Sequence, residues 1–108
     1  MHIGHNCLII MNMLPLHRTP LPTSKKINST AFIVINPVAG RVNAQLLKRI
    51  IENRFHSAGW NSHFHFTEEK ENTEEIVANE IAKGVDLVVA AGGDGTIAAV
   101  AAGMVHSQ

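Results

Sequence analysis

The chain has 108 residues and a mass of 11.7 kDa, enough for one small domain and too short for two lobes with separate cores. Nine Lys and Arg balance nine Asp and Glu, so the formal net charge is zero, no global field draws the chain to nucleic acid, and that partner class is set aside. Leu, Ile, Val and Phe supply 31 residues, well above the roughly one-fifth below which chains stay disordered, and a packed core follows.

Residues 1–30 stand apart from the rest. Their only formal charges are Arg18, Lys25 and Lys26, and Pro15, Pro20 and Pro22 break regular structure, which predicts an unstructured leader over 1–30. The apolar run from Cys7 to Leu16 is interrupted by Asn12 and Pro15, and it falls short of the ~18 to 20 residues of a bilayer span. It also lacks the basic stretch and cleavage site of a secretory signal. Cys7 is the only cysteine and has no disulfide partner within the chain. A reducing, cytoplasmic setting is therefore expected.

Regular patterning begins at Thr30. Ala31 to Ile35 form a continuous apolar run, the mark of a strand covered on both faces in a parallel sheet. Asn36 and Pro37 stop it, and Gly40 permits a tight return in a loop reaching about Arg41. Leu46, Leu47, Ile50, Ile51 and Ala58 recur at helical spacing between Asn43, a cap, and Gly59. Residues 61–67 alternate, with Phe64 and Phe66 opposite His63 and His65, which predicts a half-exposed edge strand.

Asn72 and Glu75 have capping-box spacing, and Glu71, Glu74 and Glu75 sit where a helix dipole favours acids. Val77, Ala78, Ile81 and Ala82 make the buried stripe of that helix, which ends at Lys83 before Gly84. Leu87 to Ala91 repeat the fully apolar strand character, and Ile97, Val100, Ala101 and Met104 mark a third helix. The order βαβαβα predicts a three-layer αβα fold around a parallel sheet. With the alternating strand outermost, the strand order is 2-1-3. One side of the third strand is then unpaired although its residues are apolar, so a fourth strand is expected to be missing and residues 31–108 to form an incomplete lobe.

Gly92-Gly93-Asp94-Gly95-Thr96 follows a buried strand and precedes a helix. In open parallel sheets ligands bind beyond the carboxyl ends of the strands. Three glycines let the backbone approach an anion, and the helix N-terminus adds partial positive charge, so phosphate is the natural ligand. Asp94 repels a bare phosphate and better suits a Mg²⁺ shell or loop N–H groups, while the Thr96 hydroxyl can donate to an oxygen. A ligand-free glycine turn with a capping threonine is the competing explanation.

At these residues the sequence resembles the diacylglycerol kinase catalytic domain family, which includes bacterial lipid kinases and sphingosine kinases. Asn36-Pro37-Val38-Ala39-Gly40 is similar to the family's Asn-Pro-x-x-Gly loop, Thr67-Glu68 to its nucleotide-contacting threonine, and Gly92 to Thr96 is identical to its glycine signature. The resemblance spans about Thr30 to Met104. It implies an NAD kinase/diacylglycerol kinase-like N-terminal lobe that binds ATP, with Asn36 and Thr67 near the nucleotide. Gly92, Gly93, Asp94, Gly95 and Thr96 would surround the phosphates, with Asp94 toward Mg²⁺. The implied reaction is transfer of the ATP γ-phosphate to a lipid hydroxyl such as that of diacylglycerol, with transient membrane-surface contact.

Two departures qualify the resemblance. Ile97-Ala98-Ala99-Val100 stands where many members have x-Asn-Glu-Val. The family's second, β-rich lobe, which carries the acceptor determinants and the catalytic carboxylate, has no counterpart before Gln108, so no catalytic residue is expected in this chain, and these residues alone should bind ATP weakly with little or no turnover. The glycine signature is shared with NAD kinases, which makes an NAD kinase-like fragment one alternative. A non-catalytic nucleotide-binding or interaction module, pairing as a homodimer through the open edge of the third strand, is another.

Other residues carry less. His63 and His65 share a strand face but lack a third metal ligand nearby, so a solvated edge explains them better. His2, His5, His17 and His106 lie near the termini and read as solvent residues. The acids from Glu68 to Glu75 read as dipole partners of a helix, and Trp60 as a packing anchor.

Overall fold

Two runs of buried apolar residues, Ala31 to Ile35 and Val88 to Ala91, form the centre of the sheet, as their unbroken apolar character requires. The computed structural model describes residues 7–12, 29–37 and 43–106. In chain order the elements are β1 (Cys7–Asn12), β2 (Thr30–Ile35), α1 (Ala44–Ser57), β3 (Asn61–Phe66), α2 (Thr73–Ala82), β4 (Leu87–Gly92) and α3 (Asp94–His106).

β2 pairs in parallel with β3 on one side and with β4 on the other, so the expected order 2-1-3 is the observed β3-β2-β4. α1 packs on one sheet face against Ile33, Ile35 and Val89, through Ala44, Leu47, Ile51 and Phe55. α2 and α3 cover the other face, where Val77 and Val100 meet Phe32, Val34, Val88 and Ala90. The αβα layering read from the sequence is therefore the architecture of the chain.

The leader needs correction. Residues 7–12 form a strand, β1, that runs antiparallel to β4 in the register Cys7↔Gly92 to Asn12↔Leu87. The prolines at 15, 20 and 22 lie beyond this strand and remove no ladder donor from it. β4 consequently has partners on both sides, and the fourth strand expected to be missing comes from the leader. The edge on which the homodimer expectation relied is taken by β1. Residues 1–6 and 13–28 lie outside the described residues, as do Val38, Ala39 and Gly40 of the loop after β2.

Local signals behave as their chemistry dictates. The Asn43 side chain accepts from the N–H groups of Gln45 and Leu46, and Asn72 accepts from Glu75 N–H, satisfying first-turn donors of α1 and α2. Gly59 and Gly84 adopt φ of +84° and +103° just past these helices, a backbone region that disfavours any side chain. The stripe of α1 is narrower than expected: Leu46 and Ile50 are nearly half exposed, and Ala58 is the exposed C-cap. Ala44, Leu47, Ile51 and Phe55 follow spacings of three and four, so one turn of the helix faces Leu46 and Ile50 away from the sheet.

At the amino ends of the strands, Thr30 N–H donates to the Asp86 carboxylate at 2.9 Å and Asp86 N–H returns a bond to Thr30 O at 2.8 Å. α2 and α3 meet closely at Gly103, where an added Cβ would sit 2.7 Å from both Glu74 O and Val77 Cβ. Neither atom is the free end of a flexible side chain. Gly103→Ala should therefore cost about 1–3 kcal/mol of stability despite alanine's better helix propensity. A urea titration monitored by circular dichroism reads this, and an unchanged midpoint would show that the helices do not pack this closely.

Candidate functional site at the carboxyl ends of the strands

The carboxyl ends of β2, β3 and β4 form one rim, and every residue singled out for ligand binding lies along it. Backbone bonds join the three strand ends: Asn36 N–H donates to Ala91 O at 3.0 Å, and Thr67 N–H donates to Ile35 O at 2.9 Å. Asn36 thus stands between Gly92 on one side and Thr67 on the other.

The turn between β4 and α3 is short because Gly92 carries no side chain. A Cβ there would lie 2.7 Å from Thr96 Oγ1, 2.9 Å from Thr96 Cβ and 3.1 Å from Asn36 Cβ. Thr96 fills that space and is 8% exposed. Its hydroxyl accepts from Asn36 Nδ2 at 3.4 Å, joining the end of β2 to the start of α3.

Helix α3 begins inside the glycine stretch, with Ile97 N–H donating to Gly93 O at 3.1 Å. Asp94, Gly95 and Thr96 therefore form its first turn, where backbone N–H groups lack intrahelical acceptors and the helix dipole is positive. Asp94 and Gly95 are exposed, and a Cβ at Gly95 would meet nothing within 4 Å.

Thr67 and Glu68 open the β3–α2 connection, and here the structure brings together a group that helix-dipole reasoning missed. Glu71 is only 12% exposed in its side chain, and its carboxylate lies 3.0 Å from His65 Nε2. It accepts from Glu68 N–H at 2.9 Å and from the Thr73 hydroxyl. Burial alone would raise its pKa, but the bonds from Thr73, Glu68 and His65 outweigh that effect and hold the carboxyl below the ordinary glutamate value. The dipole role belongs to Glu74 and Glu75, which occupy the first turn of α2. The signal in the sequence was a carboxylate six residues after an inward-leaning strand histidine, a spacing common to many unrelated pairs.

His63 is exposed, whereas His65 stacks against Phe32 with ring centroids 6.4 Å apart. Among the described residues, no group of three or more His, Cys, Asp and Glu is placed to hold a metal ion. Trp60 packs against Phe55 with ring centroids 5.6 Å apart and lies against the core, as its position after Gly59 suggests.

The family model of the diacylglycerol kinase catalytic domain matches residues 30–108. Among curated proteins, a probable lipid kinase YegS-like protein of Xanthomonas campestris pv. campestris (strain 8004) is 55% identical over 42 residues. That match covers 39% of this chain and 14% of the relative, so the chain corresponds to a small part of the relative's length. No solved structure matches the chain.

Two outcomes are expected from this geometry. Gly92→Ala should force Thr96 and Asn36 apart and lower stability by about 1–3 kcal/mol, read as a shifted urea midpoint. Glu71 contributes stability that is fully present above the ordinary glutamate pKa and is lost as pH falls through its depressed folded value. The parent should therefore exceed Glu71→Gln in stability at pH 7, with the gap closing as pH falls below the ordinary glutamate range. A gap independent of pH would contradict the depressed carboxyl.

Proposed function

The chain belongs to the diacylglycerol kinase catalytic domain family, and from that premise we propose that residues 30–108 form the ATP-binding lobe of a lipid kinase. The whole enzyme would transfer the γ-phosphoryl group of ATP to a lipid hydroxyl such as that of diacylglycerol. One observation carries this reading: α3 begins at the rim directly after a strand that ends in glycine, and its first-turn residues Asp94 and Gly95 are exposed, with nothing within 4 Å of a Cβ added at Gly95.

The residues suit a nucleotide that arrives with its cation. Gly95 leaves room for phosphate oxygens against the helix N-terminus, and Gly92 and Gly93 let the backbone come close. The exposed Asp94 carboxylate would repel a bare polyphosphate but can serve a divalent ion. Mg²⁺ commonly takes one or two carboxylates and fills its remaining positions with phosphate oxygens and water. Asn36 and Thr67 flank the same edge and are assigned to the nucleotide, with Asn36 also holding Thr96 in place.

Bound MgATP would supply the transferable group and much of the charge neutralisation that phosphoryl transfer requires. The chain's own part is to orient the polyphosphate by backbone N–H groups and to keep the cation beside Asp94. None of the described residues is assigned the role of general base. The family match and the lipid kinase relative favour a lipid acceptor over NAD. No helix among the described residues is long and apolar enough to cross a membrane. Contact with the lipid is proposed to occur at a membrane surface.

Isothermal titration of the full chain with MgATP tests the proposal. The parent should bind MgATP, and Mg²⁺ alone should give no binding heat. Asp94→Ala should weaken binding about tenfold, the scale of one charge-assisted contact. Gly95→Ala should keep or raise the melting temperature, because its methyl group meets open space, yet weaken MgATP binding by crowding the phosphates. Equal affinities for the parent and both variants would remove the phosphate-turn reading.

A further inference from the structure

The β3–α2 connection is more rigidly built than a surface loop requires. The Glu71 carboxylate reaches three separate pieces of the chain: His65 in β3 at 3.0 and 3.1 Å, Glu68 N–H in the loop at 2.9 Å, and the Thr73 hydroxyl in the first turn of α2. Immediately before it, Lys70 adopts φ of +69°, the left-handed region that a side chain disfavours. Such a conformation persists where surrounding contacts over-determine it. Here the turn at Lys70 directs Glu71 inward, and the three contacts retain it there.

What this bracing holds is the beginning of the loop. Thr67 is bonded to Ile35 O, and Glu68 is bonded to Glu71 itself. Both residues sit beyond the carboxyl end of β3, on the rim where ligands of open α/β sheets bind. A loop ordered in the free protein does not have to be ordered at the moment of binding, which removes one cost of association.

We propose that Glu71, with its carboxylate oriented by His65, is a positioning residue that presets the Thr67–Glu68 edge for the nucleotide. The proposal rests on the nucleotide-binding reading above. Glu71 touches no ligand in this role. His65 supports it from the strand, and its ring is itself steadied by stacking on Phe32.

The test compares the full-length parent, Glu71→Ala, Glu71→Gln and His65→Phe by MgATP titration, melting temperature and amide hydrogen exchange without ligand. Glu71→Ala should raise the dissociation constant about tenfold and lose exchange protection at Glu68 N–H. Glu71→Gln keeps a carbonyl acceptor for that N–H and should recover most of the affinity. His65→Phe keeps the ring against Phe32, loses the Nε2 contact, and should bind about threefold more weakly.

A merely structural role would lower melting temperatures while leaving the affinity of the folded protein unchanged. Glu71→Ala binding as tightly as a binding-competent parent overturns this proposal alone. A parent that binds no MgATP overturns the nucleotide reading and this proposal with it. Should Glu71→Ala not fold, His65→Phe decides, and an unchanged dissociation constant in that variant overturns the positioning role.

Discussion

A glycine at the end of β4 lets α3 begin almost at once. A side chain at position 92 would put an atom 2.7 Å from the Thr96 hydroxyl oxygen, so Thr96 would have to shift from its buried place. Asn36 could not then reach Thr96 from the neighbouring strand end. Backbone donors and a short strand-to-helix turn thus follow from one missing Cβ and one well-filled space.

The rest of the fold keeps that arrangement fixed. β2 and β4 are apolar on both faces and need cover on both, which α1 provides on one side and the α2–α3 pair on the other. Gly103 allows α3 to lie close to α2, and Val100 buries against the sheet about one turn after the glycine stretch. α3 is therefore clamped along its length, so its amino end has little freedom to drift from the strand ends. β1 completes the outer side of β4 and satisfies backbone groups that would otherwise face solvent along a fully apolar strand.

Much of this was legible in the residues. The branched apolar runs specify β2 and β4, Asn43 and Asn72 announce helix starts, and alternation in residues 61–66 gives an outer strand. The glycine stretch locates the rim, because strand, turn and helix leave one place where backbone donors converge. Features that depend on distant partners were not legible. β1 is a short apolar segment before a proline-rich stretch, and only pairing with β4 makes it a strand. Leu46 and Ile50 fit a helical stripe by spacing alone, and only the sheet decides which side of α1 is buried. Glu71 looks like one of several acids before a helix, because its role depends on a turn at Lys70 that reverses its side chain toward β3.

The charge balance gives the proposed ligand its form. A chain with zero formal net charge has no long-range field to concentrate a polyanion, so attraction must come from the few ångströms around the rim. The first turn of α3 supplies partial positive charge there, but Asp94 and Glu68 place exposed carboxylates at the same edge. The exposed Asp94 carboxylate in that first turn would favour a polyphosphate already carrying a divalent cation over the bare anion. In the proposed reading the rim would then select the metal-bound form of the nucleotide through repulsion of the free form.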